Sequence, residues 1–154
     1  MTAVLFLGCG DELKKLSRQD KFPAATYEAF RVLKDGLERS PDNISLKLKG
    51  RYLTDEKVRT EKINQMNEAF HSNIAGHWPE INLTREDVVN LFGNPTEVTV
   101  GTIDKRTSLS YWILNKTCYF ENGIRVHDED CGLLRFSFCE EGDLVAGFFH
   151  IKSW

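Results

Sequence analysis

The residues of this chain best suited to chemistry are its four cysteines, four histidines and 23 carboxylates, and their spacing decides what they can do. The densest cluster is His127-Asp128-Glu129-Asp130-Cys131, which gathers nitrogen, oxygen and sulfur donors for a divalent cation. Around it there is no Cys-x-x-Cys, His-x-x-x-His or EF-hand spacing to hold ligands in a defined geometry, so the expectation is a solvated acidic loop. His71 and His77 fall at a helix end, where the dipole favours cations, and His150 falls in a strand; none has an evident catalytic partner. Glu140-Glu141 occupies a turn, where exposure favours solubility over tuned acid–base chemistry. There is no Gly-x-Ser-x-Gly elbow and no phosphate loop. The expectation is a protein without catalytic residues, metal or cofactor.

Val4-Leu5-Phe6-Leu7-Gly8-Cys9-Gly10 is apolar up to a Gly-Cys step, and the charged Asp11, Glu12, Lys14 and Lys15 follow at once. Leu5-Phe6-Leu7-Gly8-Cys9 resembles a bacterial lipobox, in which a small residue precedes the cysteine that carries lipid. The resemblance implies acylation of Cys9. At ~0.8 kcal/mol per buried methylene, several acyl chains would hold a small domain on a bilayer. Eight residues without Lys or Arg precede Cys9, where a signal peptide has about 15–30 with a basic start; an upstream start codon would supply the rest. The same segment also resembles the glycine-rich first strand and turn of S-adenosylmethionine-dependent methyltransferases, which would make the chain a small cofactor-binding enzyme. That fold needs repeated strand–helix units, whereas a helix follows here and the strands gather at the carboxyl end. A buried first strand or frayed terminus is the third alternative.

With 154 residues, 41% hydrophobic and 28% charged, the chain is the size of one globular domain with a real core. No run reaches the roughly 18 apolar residues of a membrane-spanning helix. The net charge of −3 argues against a general nucleic-acid binder. Its distribution is uneven: residues 1–76 carry 13 Lys/Arg against 11 Asp/Glu, and residues 77–154 carry 7 against 12.

The elements follow from periodicity. Tyr27, Phe30, Leu33 and Leu37 recur at helical spacing behind Pro23, predicting a helix over 24–39 that ends at Ser40-Pro41-Asp42-Asn43. Residues 44–49 alternate apolar and cationic, which favours a half-exposed strand. Thr54 as N-cap and the stripe Ile63, Met66, Phe70 and Ile74 predict a longer helix over 55–74. Thr84 caps a two-turn helix with Glu86 and Asp87 at its positive end, Val88, Leu91 and Phe92 facing inward, and Gly93 and Pro95 stopping it. Strands are expected over 97–100, 109–114, 133–139 and 144–151, the last two as a hairpin, with a smaller hairpin around Asn122-Gly123.

The capped helix ending in Leu-Phe-Gly-Asn-Pro, the aromatic pair Tyr111-Trp112, and the hairpin Leu-Arg-Phe-Ser-Phe-Cys-Glu-Glu-Gly-Asp-Leu-Val together resemble the SmpA/OmlA family over about residues 83–151. These are small outer-membrane lipoproteins related to the BamE subunit of the β-barrel assembly machinery, with a fold shared by β-lactamase inhibitory protein. The resemblance implies an α+β domain, two or three helices packed on an antiparallel β-sheet, in the cell envelope and working by binding a protein partner. Residues 116–132 read as an insertion between strands that the family pairs directly, and the helical segment 24–74, within the helical part over 11–76, is longer than the family's preamble. No partner-binding residue carries over.

If Cys9 bears lipid, Cys118, Cys131 and Cys139 remain, and an oxidising envelope favours pairing two of them. Cys118 with Cys131 is the expected disulfide, because both flank the Asn122-Gly123 hairpin; three reduced thiols are the alternative. Tyr111, Trp112, Phe148, Phe149 and Trp154 exceed what one sheet face must bury, making them a candidate partner surface unless the helices cover them. The leading expectation is a non-enzymatic envelope lipoprotein, bound to a protein partner and to the membrane through its lipid, with no nucleic acid. The alternative is a soluble, cytoplasmic or periplasmic inhibitor or immunity-type protein whose acidic second half suits a basic target.

Overall fold

Pro23, with its φ fixed at −57°, leads into α1 (Ala24–Gly36). In the computed structural model, which describes residues 23–115, 118–126 and 131–151, Ala29, Phe30 and Leu33 of this helix are buried. The helix stops three residues short of the span the periodicity predicts. Leu37 continues the apolar stripe, but its backbone is extended, and Leu37–Arg39 forms strand β1. From Leu37 on the chain is taken up by pairing with Leu46–Leu48 instead, and at Gly36 a Cβ would collide with the Met66 sulfur of the facing helix, so only glycine fits this close approach.

An Asp42-centred turn then reverses the chain into β2 (Leu46–Leu48), antiparallel to β1, so residues 11–76 are not helical throughout. After a 3₁₀ turn at Gly50–Tyr52 comes α2 (Glu56–Asn73), capped by the Asp55 carboxylate accepting from Val58 N–H rather than by Thr54. A one-turn helix α3 (Trp78–Ile81), with no counterpart in the sequence expectations, precedes α4 (Arg85–Phe92). Helix α4 carries a full capping box: Thr84 Oγ1 accepts from Asp87 N–H, and the Asp87 carboxylate accepts from Thr84 N–H. At its other end Arg39 donates to the carbonyl of Phe92, an orphan acceptor of the last turn, and to that of Asn94 just beyond the helix.

The strands are β3 (Glu97–Val100), β4 (Thr107–Leu114), β5 (Tyr119–Glu121), β6 (Ile124–Val126), β7 (Gly132–Phe138) and β8 (Leu144–His150). The main sheet runs β1-β2-β4-β7-β8, with β3 also on β4. The α+β class stands as expected, with four helices among the described residues where two or three were expected. The sheet is mixed rather than purely antiparallel, because β2 pairs with the end of β4 in parallel. β3 pairs with the beginning of that same edge of β4. The two short strands therefore lie end to end along one partner. Thr96 splices the gap, its hydroxyl accepting from Trp112 N–H at 3.1 Å and donating to the Ile44 carbonyl at 2.8 Å.

The helices cover one face of this sheet. Tyr111, Leu134 and Phe149 sit in register across β4, β7 and β8 and point into the core, as do Leu109 and Phe136 on neighbouring rungs. Phe136 is the hub of a ring cluster, with centroids 6.2 Å from Phe30, 6.4 Å from Phe70 and 6.0 Å from Phe92. Each buried phenyl contributes about 1.5–3 kcal/mol from removal of apolar surface alone. Gly147 leaves the space in which the Trp78 ring lies on the sheet, since a Cβ there would come within 2.7 Å of that ring.

Candidate functional site

Alternation along a strand sends neighbours to opposite faces, and this sorts the aromatic candidates. Tyr111 and Phe149 are wholly buried, so they are not a partner surface. The Tyr111 hydroxyl donates to the Gly93 carbonyl at 2.8 Å, and burial drives its pKa far above the ordinary value. Trp112 faces the other way but is half-buried, with the Arg125 guanidinium 3.4 Å from its ring centroid. Phe148 is 48% exposed beside His150 on the same outward face. Cys9, the whole segment up to residue 22, His127-Asp128-Glu129-Asp130 and Trp154 lie outside the described residues.

Cys118 and Cys131 are joined in a disulfide with Cα atoms 5.2 Å apart. The bond clasps the base of the excursion that carries β5 and β6, whose Asn122-Gly123 turn has positive φ at both residues, as a tight hairpin requires. This hairpin leans over the outward face of β4. Tyr119 and Phe120 roof a cavity of about 440 Å³ with Leu48, Leu53, Leu114 and Asn115 on its other walls. Cys139 is the one free thiol among the described residues, half-buried at the β7–β8 turn. Beyond the hairpin the outward face is polar: Ser108 and Ser137 share a 2.8 Å hydrogen bond, and Arg135 Nε donates to Ser110 Oγ at 2.9 Å.

One exposed apolar surface was missed by the sequence reading. Val98 and Val100 on β3 are 58% and 62% exposed, and Ile103 at the tip of the β3–β4 loop is 95% exposed. Val98 stands opposite Leu109 and so shares the helix-covered face, but at this end of the sheet no helix shields it. β3 pairs only with β4, so its outer backbone edge has no strand against it among the described residues. Solvent-exposed β-branched residues on an open edge are the arrangement that soluble proteins ordinarily avoid. The tip is nonetheless well formed: Gly101 N–H bonds the Arg106 carbonyl at 2.8 Å, and Asp104 accepts from Arg106 N–H at 3.0 Å. The signal available in the sequence was a strand of aliphatic and polar alternation flanked by an isolated Ile in a charged turn.

A second polar centre lies on the helical side. The Asp35 carboxylate accepts from Lys62 Nζ at 2.6 Å, from the Arg51 guanidinium and from the Tyr52 hydroxyl. Arg51 and Lys62 also lie over the Tyr52 ring at 4.8 and 5.3 Å. Among the described residues no group of three or more His, Cys, Asp or Glu is placed to hold a metal ion, and no helix is long and apolar enough to cross a membrane. Comparison of the chain with protein-family models, curated proteins and solved structures finds no match.

Proposed function

We propose that the chain is a non-enzymatic protein-binding module of the bacterial cell envelope, of the SmpA/OmlA kind and lipid-anchored at Cys9. Its contact surface is strand β3 with the Ile103 loop. The observation that carries the reading is the largely exposed Val98 and Val100 on a strand with one unpaired edge, with Ile103 exposed in the loop that follows. An extended segment of a partner would add as a further strand there, its backbone satisfying the open edge and its side chains meeting the valines. The Cys118–Cys131 bond supports an oxidising compartment, where such bridges persist.

Two measurements test this. Intact-mass spectrometry of membrane and soluble fractions, from cells carrying the gene with its genomic upstream sequence, is expected to find a triacylated species beginning at Cys9. Photo-crosslinking residues placed at Ile103 and at Glu68, which is exposed on α2, are expected to give a partner adduct at 103 alone. Val100→Lys should abolish that adduct while leaving the fold intact. Equal adducts at both positions would remove the β3 surface. An unmodified soluble chain that captures a basic partner in a salt-sensitive manner would replace the lipoprotein reading with the inhibitor one.

A further inference from the structure

Strand β3 turns one backbone edge outward, and its neighbours show which groups that edge presents. In an antiparallel pair the rungs alternate, so every second residue directs its N–H and C=O to the partner strand and the residues between direct theirs away. The β3–β4 register, from Glu97 opposite Ser110 to Val100 opposite Thr107, continues to Gly101 and Arg106, where Gly101 N–H bonds the Arg106 carbonyl at 2.8 Å. Glu97, Thr99 and Gly101 therefore face β4. Trp112 N–H, turned to the same edge of β4 where it meets Thr96 Oγ1, fixes the same phase from the other strand. Val98 and Val100 are left to present two N–H and two C=O groups outward, on an edge that no other strand occupies among the described residues.

This pattern is symmetric about Thr99. A second copy turned by a two-fold axis through Thr99 places Val98 opposite Val100 of that copy, and Val100 opposite its Val98. Both rungs then close, with four N–H···O bonds, and the two Thr99 residues form the unbonded rung between them. Side chains directly opposite one another share a face, and Val98 already stands beside the buried Leu109. The four valines would thus continue the apolar face of one copy into that of the other. Shifting the axis to Val98 would set Val100 against Thr96 instead. Glu97 falls opposite Gly101 of the second copy, where Asp104 and Arg106 form an ion pair at 3.7 Å, so it meets no lone carboxylate. The Ile103 loop of the second copy runs past Thr96, whose hydroxyl bonds the carbonyl of the exposed Ile44.

We infer that the occupant of the β3 edge is a second copy of this chain, paired antiparallel about Thr99 into one continuous sheet. The inference rests on the reading of β3 as a contact surface and names its partner. A contact built on two four-residue strands belongs with the small, transient interfaces, so a reversible dimer seen at high concentration is expected.

The test is sedimentation velocity of the full chain from micromolar to millimolar concentration. The mean mass is expected to rise toward twice that of the monomer. Val100→Lys, at a largely exposed position, should hold the chain monomeric with an unchanged circular dichroism spectrum. A second measurement reads the register while leaving the valines in place. In a chain carrying Cys9→Ser and Cys139→Ser, Thr99→Cys is expected to form a disulfide-linked dimer under mild oxidation, since facing residues of an unbonded rung have Cα atoms about 4.5 Å apart. Glu97→Cys should not, because residues 97 of the two copies lie roughly 13 Å apart along the strands, two positions either side of the axis. A monomer at millimolar concentration, or a Glu97→Cys link as efficient as the Thr99→Cys one, would overturn the inference. Its failure and that of the underlying reading are told apart by the photo-adduct at residue 103. A monomeric chain that still gives an adduct with a different protein loses the second copy and keeps the β3 surface, whereas a monomeric chain without any adduct loses both.

Discussion

The helix-covered face of the main sheet carries Leu109, Tyr111, Leu134, Phe136 and Phe149, whereas the face behind it carries Ser108, Ser110, Trp112, Arg135 and Phe148. Each central strand supplies both, one residue apart. On the covered face these five side chains are all buried, and the Tyr111 hydroxyl among them is bonded to a carbonyl. On the outward face, Ser108 pairs with Ser137 and Arg135 with Ser110, and the hairpin that roofs the cavity is tied down by the disulfide and by Arg125 on the Trp112 ring. The lesson is that one face is stabilised by area and the other by covalent and charged clasps. The two should therefore respond differently to substitution and to reductant.

Removing rings at matched positions gives the largest contrast. Phe136→Ala deletes the hub of the phenyl cluster and should cost about 3–5 kcal/mol, the range for a large buried aromatic that leaves a cavity. Phe148→Ala, on a half-exposed ring one strand away, should cost under about 1 kcal/mol. Urea unfolding of the two variants measures both. Equal losses would mean that the outward face is packed against something as continuous as the helical layer.

The disulfide gives an intermediate effect. Cys118→Ser/Cys131→Ser opens a closure spanning 13 positions and should destabilise by about 2–4 kcal/mol. The loss should be local in character: the Trp112 indole resonance should shift as Arg125 leaves its ring, while the resonances of Phe70 and Phe149 stay in place. Spectra recorded before and after reduction decide the point. Movement of the core aromatics would show that the hairpin and the helical face are one cooperative unit.

Local grammar was legible and long-range geometry was not. Helix α4 could be read with its cap, its inward stripe and its stop, because Thr84, Asp87, Gly93 and Pro95 act within a few residues of where they stand. The Asn122-Gly123 turn is legible for the same reason. Leu37 fits a helical stripe equally well, and it is pairing with Leu48, eleven residues later, that takes it into a strand instead. The parallel pairing of β2 with β4 joins residues 46 and 113, and no local pattern encodes it. Of the pairs Tyr111-Trp112 and Phe148-Phe149, alternation guarantees that one member points each way, but register with β7 decides which. The exposed Val98 and Val100 were invisible because β-branched alternation ordinarily signals burial. Lys62 was invisible because a lysine on an amphipathic helix ordinarily signals solvent.

The smallest effect sharpens the comparison at the rim, where the Asp42 turn borders the cavity beneath the hairpin. Burial pushes the Asp42 carboxyl up, but hydrogen bonds from Ser40, from the Ile44 and Ser45 backbone amides and from the Ser45 hydroxyl together outweigh it and hold its pKa below the ordinary 3.8. A carboxyl whose folded pKa is depressed stabilises the fold fully above its unfolded pKa, and that contribution is lost as pH falls through the depressed value. Because the carboxylate is exposed, the contribution should be under about 1 kcal/mol. Asp42→Asn should therefore lower the urea midpoint slightly at neutral pH. The gap between variant and parent should close as the pH falls below the ordinary 3.8 and on through the depressed folded pKa, where the parent's carboxyl protonates. If the gap persists undiminished at low pH, Asp42 acts through the shape of its turn and not through its charge, and the rim would then resemble the covered face, held by geometry alone.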